Sequence, residues 1–219
     1  MVAQSLRVKI CGITSPEQGT AIAALGAHSI GFICVQKSPR YVTPEQIKAI
    51  TSVLPKGVHR VGVFMNTHVD DIVEIVKKSG LSSIQLHGDE SVEFCGELRS
   101  ALREQITDDR IELIKAFRIE SAAGLVNTHS YSAVVDWLLL DAYHPTMGGG
   151  TGLTLDWATL GEFKPTVPWL LAGGLNPDNV RDALQTINPQ GIDLSSGVER
   201  SPGDKDLGKV ARLFEQLKN

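Results

Sequence analysis

Short runs of Val, Ile and Leu recur along the chain between amphipathic stretches of roughly 10 to 15 residues, the rhythm of repeated βα units. The pattern predicts strands over 7–11, 29–35, 60–65, 83–87, 112–117, 134–141, 168–172 and 191–195, each followed by a helical stretch, about eight units in all. Helix starts are sharpest at Thr43-Pro44-Glu45 and Asn176-Pro177-Asp178, where proline falls at the first helical position. Between residues 97 and 110 the pattern blurs: residues 99–104 are helical in composition, whereas Thr107-Asp108-Asp109-Arg110 reads as a surface connection.

Alternating strands and helices fit either an open doubly wound sheet or a closed barrel. An open dinucleotide-binding sheet usually carries its glycines in the first turn, but here that turn is Cys11-Gly12-Ile13-Thr14. Glycines cluster instead after the sixth and seventh strands, and Ser195-Ser196-Gly197 follows the eighth, where barrels hold phosphate. The expectation is an α/β protein with a (β/α)8 TIM-barrel fold, a single domain over residues 1–219. A length of 219 residues, 42% hydrophobic and 5% aromatic, suits one such core.

Strand parity sorts the side chains. In the first strand Leu6, Val8 and Ile10 form the helix-facing set, so Arg7, Lys9 and Cys11 face the barrel axis. The fourth strand sends Gln85 and His87 inward, and the eighth sends Asp193 and Ser195. Burying such groups costs several kcal/mol, roughly, unless they pair or reach a wet mouth. They therefore mark either a polar binding site or, for Lys9 in particular, a structural ion pair.

Charge narrows the partners. With 21 Lys and Arg against 25 Asp and Glu the formal charge is −4, which excludes the basic surface of a nucleic-acid binder. No stretch approaches 18 uninterrupted apolar residues and no leader pattern opens the chain, so no membrane partner or targeting is expected. Three cysteines, Cys11, Cys34 and Cys95, are an odd set without metal-binding spacing. A reducing, cytoplasmic setting fits them, with no disulfide and no metal.

Candidate chemistry gathers at strand ends. Cys11 closes the first strand, Gly12 leaves space above its sulfur, and Lys9 on the same face favours the thiolate; the alternative is a small buried apolar residue. Asp141 ends the run Trp137-Leu138-Leu139-Leu140, where burial favours the protonated carboxyl that a general acid needs. It could equally cap a turn. Ala172-Gly173-Gly174-Leu175-Asn176 lets backbone N–H groups approach an anion ahead of a helix, and Ser195-Ser196-Gly197-Val198 is a second such set. Arg40, in Lys37-Ser38-Pro39-Arg40-Tyr41, is a planar cation suited to a carboxylate, or an exposed loop residue. Residues 147–152, four of them glycine in succession or nearly so, are either a cover over the site or a flexible connection.

Together these motifs resemble those of the phosphoribosylanthranilate isomerase family of tryptophan biosynthesis. The resemblance runs nearly the full length, through Val8-Lys9-Ile10-Cys11-Gly12-Ile13-Thr14, Lys37-Ser38-Pro39-Arg40-Tyr41, Val61-Gly62-Val63-Phe64, Gln85-Leu86-His87-Gly88, Leu139-Leu140-Asp141, Gly149-Gly150-Thr151-Gly152, Ala172-Gly173-Gly174-Leu175-Asn176-Pro177 and residues 193–199. It implies a phosphorylated small-molecule substrate, Cys11 as general base, Asp141 as general acid and Arg40 on the anthranilate carboxylate. Gly173, Gly174, Ser196 and Gly197 would surround the phosphate, and Lys9, Gln85, His87 and Asp193 would complete the substrate site. The implied reaction is an Amadori rearrangement that needs no cofactor, because the iminium formed on ring opening is itself the electron sink. Cys34-Val35-Gln36 and Leu155 depart from the family pattern near the ligand, which bears on affinity more than on reaction type. Cys11 argues against the related histidine-pathway isomerase, which has aspartate there; a silent phosphate-ligand sensor is the other reading. Assembly as monomer or homodimer is left open.

Overall fold

The computed structural model describes residues 6–106, 111–119, 122–141 and 160–218. Eight parallel strands close into a barrel in chain order: β1 (Arg7–Cys11), β2 (Ser29–Ile33), β3 (His59–Phe64), β4 (Ser83–Leu86), β5 (Glu112–Arg118), β6 (Trp137–Asp141), β7 (Trp169–Ala172) and β8 (Gly191–Leu194). Closure is made by β1 pairing with β8, Lys9 opposite Asp193 and Ile10 opposite Leu194. Around it run α1 (Pro16–Ala24), α2 (Pro44–Val53), α3 (Val69–Ser79), α4 (Val92–Gln105), the short α5 (Ala122–Val126), α6 (Val180–Thr186) and α7 (Leu207–Lys218). All eight expected strands are present. The connection at residues 107–110 lies outside the described residues.

Local chemistry explains most boundaries. At α2 the Thr43 side chain accepts from Gln46 N while Gln46 reaches back to Thr43 N, a capping box with Pro44 at the first turn. The second proline signal is displaced. The Asn176 side chain accepts from the backbone of Asp178 and Asn179, closing a local turn, so Pro177 sits in that turn and α6 begins only at Val180. The strand expected over 134–141 begins at Trp137, because residues His129–Ala133 form a 3-10 turn that Val134 still caps. A small antiparallel pair was not expected: β9 (Glu199–Ser201) and β10 (Asp204–Lys205) form a hairpin beyond β8.

Parity holds where it was read. Val8, Ile10, Ile84, Leu86, Ile192 and Leu194 pack outward in one core with helix residues such as Ile22, Ile47, Ile72 and Leu213. Inside the barrel, the walls differ. Val61, Ile114, Ala116, Leu139, Leu170 and Ala172, from β3, β5, β6 and β7, form a separate apolar cluster. The β1, β4 and β8 residues facing them are polar: Arg7, Lys9, Gln85 and Asp193. Near the N-terminal ends of the strands Arg7 is locked bidentately to Glu112 at 2.8 and 2.7 Å, with its Nε donating to Ser29 Oγ at 2.9 Å.

Candidate active site

At the opposite, C-terminal end of the strands lies a cavity of about 420 Å³. Strand ends and the turns after them supply its walls. Cys11 comes from β1, Gln85 from β4 with His87 just beyond, Asp141 from β6, and Asp193 from β8. Arg40 enters from the β2–α2 loop, Gly173 and Gly174 from the turn after β7, and Ser196 and Gly197 from the turn after β8. Every candidate residue named from the sequence lines this cavity except Lys9. That lysine lies fully buried beneath it, its Nζ 3.0 Å from both carboxylate oxygens of Asp193.

This pairing adds Asp193 to the electrostatics around Cys11. Desolvation opposes the Lys9 ammonium, but Asp193 first and then Cys11 hold it above its ordinary value. At Cys11 itself burial pushes the thiol up, Lys9 pulls it down, and Asp193 adds to the upward push. The net direction is upward. Lys9 acts on the thiol in the expected direction, toward the thiolate, but burial outweighs it. Gly12 serves differently than expected. At φ +82° it tolerates a conformation that other residues avoid, and a Cβ there would lie 2.7 Å from Arg40 Cδ, so the space belongs to Arg40 rather than to a ligand above the sulfur.

Arg40 is held, not loose. Its Nε donates to Glu199 Oε1 at 2.9 Å and its Nη2 to Oε2, while Nη1 makes no hydrogen bond among the described residues. Glu199 also accepts from the fully buried Lys205 at 2.7 Å and from Gly203 N at 3.1 Å. Lys205 in turn donates to the Ser195 carbonyl at 3.2 Å. One carboxylate thus serves two cations. Glu199 and Lys205 were not singled out from the sequence, although Glu199 closes the 193–199 motif; both lie in the hairpin that follows β8. Gly31 was missed as well: a Cβ there would meet Cys11 Sγ at 2.7 Å, so the neighbouring strand leaves the room that the thiol fills.

The two glycine-containing turns touch. A Cβ at Gly197 would fall 1.9 Å from the Leu175 carbonyl oxygen, so only glycine allows the turn after β8 to lie against the turn after β7. Gly173 and Gly174 have φ of +99° and +64°. Because α6 starts at Val180, the backbone of these turns borders the cavity, and the helix terminus does not. Asp141 keeps a quarter of its side chain exposed, with Oδ2 3.6 Å from His87 Nε2. Residues 147–152 and Leu155 lie outside the described residues. Among the described residues no helix is long and apolar enough to cross a membrane, and no cluster of three or more His, Cys, Asp or Glu is arranged to hold a metal ion.

Comparison with known proteins agrees with this geometry. The family model for N-(5'-phosphoribosyl)anthranilate (PRA) isomerase matches residues 8–216. The N-(5'-phosphoribosyl)anthranilate isomerase of Gloeothece citriformis is 56% identical over 212 residues, covering 97% of this chain and 94% of that protein. That of Trichormus variabilis is 55% identical over 97% and 98% of the two chains. Among solved structures, the Thermotoga maritima enzyme superposes with a TM-score of 0.85 at 35% identity, covering 98% of this chain and 99% of that one. A phosphoribosyl anthranilate isomerase in complex with reduced 1-(o-carboxyphenylamino)-1-deoxyribulose 5-phosphate superposes with a TM-score of 0.82 at 33% identity, over 98% and 99%. With a closed eight-stranded barrel, a polar mouth at its C-terminal end and these relatives along its length, the chain belongs to the N-(5'-phosphoribosyl)anthranilate isomerase family of tryptophan biosynthesis.

Proposed function

We propose that the chain isomerises N-(5'-phosphoribosyl)anthranilate to 1-(2-carboxyphenylamino)-1-deoxyribulose 5-phosphate, with Asp141 as general acid and Cys11 as general base. The observation that carries the assignment is that Cys11 and Asp141, on strands three apart around the ring, border one cavity with Arg40, whose Nη1 has no partner among the described residues, and the two touching glycine turns. Asp141 gives its proton to the furanose ring oxygen as the bond to C1' breaks, and the ring opens to an iminium. Cys11, as thiolate, then takes the C2' proton, and the enolamine tautomerises to the ketone. Arg40 Nη1 meets the anthranilate carboxylate, the backbone of Gly173, Gly174, Ser196 and Gly197 meets the phosphate, and Gln85, His87 and Asp193 form the polar wall between. Lys9 supports this wall from beneath through Asp193.

The barrel acts as one domain. Its three free thiols support a cytoplasmic setting. The Thermotoga maritima relative, matched at a TM-score of 0.81, is a dimer from which monomers have been generated, and assembly of this chain as monomer or homodimer is open to a sizing measurement. The test is to mix the protein with freshly made phosphoribosylanthranilate and follow the decay of its fluorescence. Cys11→Ser and Asp141→Asn are each expected to lower kcat by about 10³-fold, within the range of a positioned acid or base, with thermal unfolding little changed. Near-normal turnover in either variant removes that residue from its role.

A further inference from the structure

Resting on that reading for the role of Asp141, we infer that Gln85 is a positioning residue that acts through His87, fixing the ring hydrogen on Nε2 so that a donor always faces Asp141. Gln85 is 1% exposed, and its Nε2 lies 2.9 Å from His87 Nδ1. An amide nitrogen donates and cannot accept, so Nδ1 accepts and carries no proton. The hydrogen of the neutral ring is then on Nε2, and Nε2 is 3.6 Å from Asp141 Oδ2.

The backbone that carries this ring is clamped on both sides. His87 N donates to the Phe64 carbonyl at 2.8 Å, and Gly88 N to Glu90 Oε2 at 2.9 Å. Lys115, buried with Glu90, donates to the Gly88 carbonyl at 2.8 Å. Gln85 pays for its orientation: its Oε1 is buried without a hydrogen-bond partner among the described residues. Turned over, the amide would accept from Nδ1–H, and His87 would present a bare lone pair that draws the Asp141 proton away from substrate.

With the observed orientation, the proton of Asp141 moves to the ring oxygen as the C1'–O bond breaks and its electron pair goes to that oxygen. The carboxylate charge that develops meets an N–H already in place, and His87 keeps its own proton throughout.

The test is long-range 1H–15N correlation on the full protein labelled at histidine, with His87 assigned by its loss in His87→Asn. The expected signal is the Nε2–H tautomer; an Nδ1–H tautomer overturns the proposal whatever the activity. Gln85→Glu, which replaces the donor with an acceptor, is expected to switch the ring to Nδ1–H. Gln85→Met removes the donor at similar volume and keeps the question answerable if the glutamate variant does not fold. Each is expected to lower kcat about tenfold with KM within about twofold, since a positioned proton donor acts on the chemical step. Unchanged kcat in Gln85→Met, or a loss carried by KM alone, overturns the proposal. If the wild-type protein shows no isomerase activity, the functional reading fails while the tautomer result stands by itself.

Discussion

Two of the concavities, at opposite ends of the barrel, differ in how their polar groups are used. The lower one, at the N-terminal ends of the strands, is about 500 Å³ and is lined by Gly57, Val58, His59, Arg60, Ser82, Glu112 and Asp136. The upper one is smaller, about 420 Å³. In the lower one the charges are consumed by one another. Glu112 takes both ends of the Arg7 guanidinium, Asp136 accepts from Arg99 and from Leu113 N, and Arg60 donates to the carbonyls of Thr51, Leu54 and Val58. In the upper one, among the described residues, Arg40 Nη1 and Gln85 Oε1 have no hydrogen-bond partner, and Asp141 Oδ2 lies 3.6 Å from His87 Nε2. Volume therefore does not distinguish a site from a dimple. Unspent hydrogen-bonding capacity does, because a buried group without a partner is costly unless a ligand completes it.

The largest expected effect tests the lower end as structure. Glu112→Gln leaves the Arg7 guanidinium without its counter-charge and is expected to cost about 3 kcal/mol or more of stability, read from urea unfolding, with kcat unchanged where the protein is folded. Lost activity without lost stability would make the lower end functional and erase the contrast. At the upper end Arg40→Ala is expected to raise KM roughly 10- to 100-fold, the loss of a hydrogen bond between charged groups, and to leave kcat nearly alone. A substrate analogue lacking the carboxylate should bind wild type and variant alike; equal losses for both ligands would remove Arg40 from carboxylate binding.

A smaller effect concerns the anchor behind Arg40. Desolvation pushes the Glu199 carboxyl up, but hydrogen bonds from Arg40 and Lys205 outweigh it and hold the group down at about 2, below its ordinary 4.5. A depressed carboxyl stabilises the fold above its unfolded pKa, and that contribution disappears as pH falls from 4.5 through about 2. The stability difference between wild type and Glu199→Gln should shrink across this window; a constant difference would mean that Glu199 is not ionised in the fold. The smallest effect is at Cys11. Because burial raises its thiol and Asp193 adds to this against the pull of Lys9, the rising acidic limb of kcat/KM that reports a thiolate base is expected to lie above neutrality, and Asp193→Asn should move it toward lower pH. A limb unmoved by that change would uncouple Asp193 from the base.

Much of the site was legible because strands alternate. A period of two places Cys11, Gln85, His87 and Asp193 on the interior from local sequence alone, and their position near strand ends places them at one mouth. What was misread or incomplete depended on side-chain pairing, most of it between segments distant along the chain. Lys9 favours the Cys11 thiolate as read, but Asp193, 184 residues away, also pairs with it, and burial outweighs its pull on the thiol. Gly12 was expected to leave a ligand space that Arg40 fills, and Asn176-Pro177 reads as a helix start until Asn176 closes its own turn.

By itself the sequence determined the βα rhythm, the eight strands of the barrel, the faces of those whose parity was read and the residues able to do acid-base chemistry, because these follow from periodicity and residue type. Only the tertiary structure decided who spends whose charge. Ring closure brings β1 against β8 and the β9–β10 hairpin beside Arg40, joining Lys9 to Asp193 and both Arg40 and Lys205 to Glu199. Electrostatic pairing acts through space, so the balance of charge around Cys11 exists only once those segments have met.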